Sequence, residues 1–96
     1  MEILQHIESF YDAVSENPKI SVTHISLYMS LLLKWHKQGC KEPFGFRRVE
    51  IMRDAKINSR HTYNKCINEL QENGLLRYRP ASNHVAKSCI YFIVQS

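Results

Sequence analysis

The stretch RRVEIMRDAKINSRHTYNKCINELQENGLLRYR, residues 47–79, decides the fold. Residues 47–55 set Val49, Ile51 and Met52 between charged side chains and read as a short helix. Lys56, Ile57 and Asn58 form a polar turn with one apolar anchor. Ser59 then offers a hydroxyl to the unsatisfied N–H groups of a new helix. That helix runs to about Asn73 with Tyr63, Ile67 and Leu70 on one face, and Asn73-Gly74 stops it. A short helix, a tight turn and a capped polar helix make a helix-turn-helix. Residues 75–79 follow directly as a strand.

Working outward, residues 88–94 are rich in β-branched and aromatic side chains and read as a second strand, joined to the first by a loop over 80–87. This hairpin, placed after the helix-turn-helix, would be a wing. Upstream, residues 44–46 form a short extended piece after Pro43. Before it, Ile25, Leu27, Tyr28, Leu31, Leu32 and Trp35 make a helix that is apolar around much of its circumference. Thr23 is its expected N-cap, and it runs to about Gln38, with Gly39 after its end. His24 and Tyr28 are one turn apart on it, a spacing that suits packing or capping. Residues 2–15 place Ile3, Ile7, Phe10 and Val14 on one stripe of a first helix, which Asn17-Pro18 terminates.

The expected fold is therefore α+β and mostly helical, a winged helix-turn-helix with an extra N-terminal helix and a C-terminal β-hairpin wing. The chain of 96 residues is one domain, with an accessory helix over 1–17 and a core over 20–94. A domain of this size buries roughly 60–65% of its unfolded surface, enough for one modest core.

The formal net charge of +4 is mild, but its distribution is uneven. Residues 1–46 carry four bases and five acids, whereas residues 47–96 carry nine bases and four acids. A net +5 on the half that holds the helix-turn-helix suggests a surface for a polyanion. On the helix that Ser59 caps, the side chains left outside the apolar stripe are Arg60, His61, Asn64, Lys65 and Asn68. Arg can read guanine, Asn can read adenine and Lys can hold phosphate. Ser59 and Thr62 add hydroxyls at the positive end of the helix dipole. If Leu76 and Tyr78 face the core, Arg77 and Arg79 face outward by strand alternation. Asn83, His84 and Lys87 lie in the loop, and Arg47 and Arg48 open the preceding helix. The expected partner is double-stranded DNA, with the capped helix in the major groove and the hairpin on the adjacent backbone.

Thr23-His24-Ile25-Ser26-Leu27-Tyr28, Pro43-Phe44, residues 59–63, Lys65-Cys66 and Asn73-Gly74-Leu75-Leu76-Arg77-Tyr78 carry a resemblance. Across residues 20–94 the chain resembles the small winged-helix proteins of bacterial transposons, plasmids and related mobile elements. These are similar to the N-terminal winged-helix domains of replication-initiation and replisome-organiser proteins. The resemblance implies a transcriptional regulator or an accessory DNA-binding factor of a mobile element, in the bacterial cytoplasm. Arg47 departs from the pattern, since a small capping residue is expected there.

Other chemistries find little support. Cys40, Cys66 and Cys89 show no CxxC spacing, and neither they nor the five histidines form a ligand pair on one helix, so no metal and no disulfide framework is expected. Cys66 and Cys89 read as small buried hydrophobes. No GxSxG, HExxH, Walker-type or Rossmann pattern is present, and no enzyme or cofactor is expected. Tyr28, Trp35, Phe44, Phe46 and Tyr63 are spaced for core packing rather than base stacking. The N-terminus lacks the basic start and apolar run of a signal peptide, and the apolar stretch over 27–35 is too short to span a bilayer. The first helix can close the core or pair with a second copy, and a homodimer through it is the expectation. The alternative function is a winged helix whose partner is another protein, with the basic face dispensable.

Overall fold

The computed structural model describes residues 3–81 and 87–93. In chain order it holds α1 (Ile3–Val14), α2 (Val22–Lys37), β1 (Phe44–Phe46), α3 (Arg48–Ala55), α4 (Arg60–Glu72), β2 (Leu76–Arg79) and β3 (Ser88–Phe92). The architecture is α+β and mostly helical, with four helices and one three-stranded antiparallel sheet among the described residues.

α2 is the hub. Leu27, Tyr28, Leu31, Leu32 and Trp35 are all buried, and α1, α3 and α4 pack around them. Its start differs from the expectation. Ser21, with φ −99° and ψ 175°, is the N-cap, and Thr23 lies inside the first turn. The reason is the His24 ring, whose Nδ1 accepts the Ser21 backbone N–H at 2.9 Å. This is the role that Glu or Gln plays in a capping box, and it satisfies a donor at the mouth of the helix. Beyond the helix end, Gly39 adopts φ +87°, a left-handed conformation that suits glycine.

α1 belongs to the same core. Phe10 stacks on Tyr28 with ring centroids 3.9 Å apart and planes 3° from parallel. Val14 and His6 are also buried, and His6 sits edge-on to Trp35 and Phe92. The buried stripe is thus 6-10-14, and Ile3 and Ile7 are half-buried beside it. Burial of a ring such as Phe10 is worth about 3–5 kcal/mol, judged by what its truncation costs.

The sheet order is β1-β3-β2. β3 is central because its alternation, with Ser88, Ile90 and Phe92 buried, matches an apolar partner on each side. Phe44 pairs with Ile90 and Phe46 with Ser88 on one edge, while Leu76 pairs with Phe92 and Tyr78 with Ile90 on the other. The extended piece at 44–46 is therefore a third strand, which local sequence alone does not reveal. β2 starts at Leu76 rather than Leu75, because the Leu75 N–H still bonds the Leu70 carbonyl at the exit of α4. β3 ends at Phe92, and Val94 of the expected strand lies outside the described residues.

Between α3 and α4 the chain turns on Lys56, left-handed at φ 63°, and Ile57, buried against the core. α3 begins at Arg48, with Arg47 extended at the N-cap and making no side-chain cap. Its other end is held by the Ser26 hydroxyl, which donates to the Ala55 carbonyl at 2.8 Å. Ser59 caps α4 as expected, its Oγ accepting the Thr62 N–H at 3.2 Å.

Candidate nucleic-acid interface

α4 is split lengthwise by burial. Tyr63, Cys66, Ile67 and Leu70 face the core, and Arg60, His61, Asn64, Lys65 and Asn68 are all exposed, as the helical spacing predicts. No acid occupies its first turn. Thr62 is half-buried, and the Ser59 hydroxyl oxygen is engaged in capping. Glu69 is drawn away from the polar face, because its Oε1 lies 2.8 Å from His24 Nε2 on α2.

The orientation of α4 against the sheet is set by a run of hydroxyls. Tyr63 Oη donates to Tyr78 Oη at 3.3 Å, and Tyr78 Oη lies 3.4 Å from Ser88 Oγ. Ser88 Oγ also accepts the Ala81 N–H at 3.3 Å. Burial, reinforced by the bond to Tyr78, pushes the Tyr63 phenol well above its ordinary range. It stays neutral and available as a donor. All five aromatic residues weighed for base stacking, Tyr28, Trp35, Phe44, Phe46 and Tyr63, are buried.

On β2, Leu76 is buried and Tyr78 half-buried, while Arg77 and Arg79 are exposed, as strand alternation predicts. The two arginines share a shallow depression with Gln71, Tyr91 and Ile93. They thus neighbour the C-terminal half of α4. Gln71 Oε1 accepts the Tyr78 N–H at 2.7 Å, so a side chain of α4 caps the free edge of the strand. Lys87 is exposed and its side chain lies close over Gly45 of β1. Asn83 and His84 lie outside the described residues.

Arg47 is exposed. Arg48 is half-buried, and its Nε is a buried donor without a partner among the described residues. It lies near enough to Tyr63 for its charge to act on the phenol. Of the two, Arg47 is the freer to meet a phosphate.

Sequence reasoning does not single out Tyr91. It is exposed directly across from Arg77, and the alternation of β3 that buries Ile90 and Phe92 is the signal that finds it. A second grouping, His24, Cys66 and Glu69, brings three ligand-type atoms within 4.8 Å of one another. Cys66 and Glu69 are one turn apart on α4, a spacing visible in the sequence, but His24 comes from 42 and 45 residues upstream. Within the protein both ring nitrogens of His24 are already engaged, Nδ1 with the Ser21 N–H at 2.9 Å and Oγ at 2.8 Å, and Nε2 with Glu69 at 2.8 Å. Burial, with the Glu69 charge beside it, raises the Cys66 thiol and keeps it protonated. The trio is an interhelical clamp. Cys89, expected to be buried, is half-buried beside Lys87.

No protein-family description, curated protein or solved structure matches the chain. Among the described residues, no helix is long and apolar enough to cross a membrane.

Proposed function

We propose that this chain is a winged helix-turn-helix protein that binds duplex DNA in a sequence-specific manner. In this reading α3 and α4 are the helix-turn-helix, α4 enters the major groove, and β2 with β3 is the wing. The observation that carries it is the divided surface of α4. Its inner face is core, and its outer face presents Arg60, His61, Asn64, Lys65 and Asn68 with no acid in the first turn. Asn64, Asn68 and Arg60 are the base-reading side chains, and Lys65 and Arg47 hold phosphate. Arg77, Arg79 and Lys87 reach the backbone beside the groove. The resemblance to winged-helix proteins of mobile elements supports a role as a transcriptional regulator or accessory factor, without catalysis, in the bacterial cytoplasm.

The test is binding to duplex DNA across a salt titration. Each phosphate neutralised contributes about −0.9 to the slope of log K against log salt. A steep negative slope, with tighter binding to selected sequences than to random duplex, supports the proposal. Weak binding that salt does not alter would overturn it. It would favour the second reading, a winged helix whose partner is a protein, which the exposed apolar Leu4, Val22 and Leu33 support.

A further inference from the structure

The exposed apolar side chains are not scattered evenly. Of the six large apolar side chains exposed among the described residues, four lie on α1 and α2: Val22 at 81%, Leu4 at 58%, Leu33 at 50% and Tyr11 at 42%; Val49 on α3 is 70% exposed and Tyr91 on β3 41%. Between these helices runs a groove that Ile3, Ile7, Met29 and Leu33 line, and its surface is almost wholly apolar. Val22, Met29 and Leu33 follow one another at spacings of seven and four, one line along α2. His24, bonded to Glu69 of α4, points from the opposite side of that helix. The apolar face is therefore turned away from α4.

The two borders of this face carry opposite charge. On the α1 side, exposed Glu8 follows exposed Leu4 by one helical turn, and α1 has no Lys or Arg. On the α2 side, the surface continues from Leu33 into a depression that Lys34, Lys37 and Arg53 line. Lys34 is paired with Glu50 and Arg53 with Asp54, while Lys37 belongs to no described ion pair. A two-fold axis uses one patch twice, so residue i of one copy meets residue j of the other and the reverse. An apolar centre with acid on one border and base on the other is complementary to itself under that operation.

We infer that the face formed by α1 and α2 binds a second copy of this chain. In the symmetric pair, Leu33, Met29 and Val22 of each copy cover the groove of the other, and Glu8 of each approaches Lys37 of its mate. Both α4 helices remain uncovered, pointing away from the contact. The interface stands on the apolar face and its bordering charges, whatever α4 binds.

The experiment is sedimentation equilibrium of the full chain over a concentration series, with variants at exposed positions. The parent is expected to be a dimer, and Leu33→Glu and Val22→Glu to weaken it by about tenfold or more each. Circular dichroism melts recorded at concentrations where the parent is itself dissociated should match the parent, since neither side chain is buried in the single copy, whereas at dimer-forming concentrations the variants should melt lower. Glu8→Lys and Lys37→Glu should each weaken the homodimer through like charges at the border. Mixing those two single variants should restore a dimer, because each then offers what the other lacks. A parent that stays monomeric up to about 100 μM, where even weak specific pairs form, would overturn the inference. So would a dimer that Leu33→Glu and Val22→Glu both leave intact. A parent that is monomeric but takes up a different protein on this face would also overturn it. DNA affinity is not a readout here, so failure of the interface and failure of the DNA reading are separable.

Discussion

His24 and Glu69 are joined at 2.8 Å between Nε2 and Oε1, across two helices that are far apart in the chain. The bond ties the first turn of α2 to the C-terminal half of α4, and the same ring caps α2 through Ser21. One imidazole therefore both starts a helix and positions the helix that carries the polar face.

A consequence is an asymmetry between two substitutions. His24→Ala leaves the Ser21 N–H and the Glu69 carboxylate without their partner and should cost about 1–3 kcal/mol. Glu69→Gln keeps a carbonyl oxygen that accepts the same Nε2–H and should cost under about 1 kcal/mol. Urea unfolding of both variants checks this. A Glu69→Gln loss as large as that of His24→Ala would mean that the pair is held by charge.

Removal of the exposed cations of α4 should separate binding from stability. Arg60→Ala with Lys65→Ala changes two exposed side chains that make no described ion pair. Its unfolding free energy should stay within about 0.5 kcal/mol of the parent. Its DNA affinity should fall, and the salt slope should shrink by about 0.9 for each phosphate no longer neutralised. A folded double variant that binds as the parent does would remove α4 from the groove.

Tyr63 tests the frame that holds α4. Tyr63→Ala empties a fully buried site and should cost about 3–5 kcal/mol. Tyr63→Phe deletes only the hydroxyl that meets Tyr78 and should cost about 1 kcal/mol. DNA binding should fail with Tyr63→Ala through unfolding and persist with Tyr63→Phe. Thermal melts recorded beside the binding curves distinguish the two causes.

His6 predicts a dependence on pH. Burial against Trp35 and Phe92 lowers its pKa below the ordinary 6.5, an effect that Glu42 partly opposes. Above 6.5 both folded and unfolded chains hold a neutral ring, and the full stability is present. As pH falls through 6.5, the unfolded chain takes up a proton that the folded one resists, so stability declines. The loss levels off once pH passes below the folded pKa. Denaturant midpoints of the parent and of His6→Phe should therefore diverge in slope between about pH 7 and mildly acid conditions. A parent curve no steeper than that of His6→Phe would show that the ring titrates freely.

Much of the architecture is legible in the one-dimensional pattern, and particular residues show why. The inward face of α4 follows from Tyr63, Ile67 and Leu70 at helical spacing, its start from Ser59, and its end from Asn73-Gly74. The outward set, Arg60 to Asn68, is what remains once that face is buried. The alternation of Leu76, Arg77, Tyr78 and Arg79 sorts core from solvent in the same way. Thr23 misleads because a capping hydroxyl is common, whereas His24 as the returning side chain is not part of the usual signature. Local propensity acts over a few residues, and within that range the chain determines its helices, turns and buried faces.

Only the tertiary structure decides which of these faces meet. Phe44–Phe46 becomes a strand because β3 lies beside it, and three residues alone hold too little hydrogen bonding to specify that. His6 is buried because aromatic rings from distant segments close over it. The His24–Glu69 clamp and the apolar border of α1 and α2 exist only after α2 has been surrounded. Contacts across such separations are set by the packing of whole elements, whose geometry no short window of sequence contains.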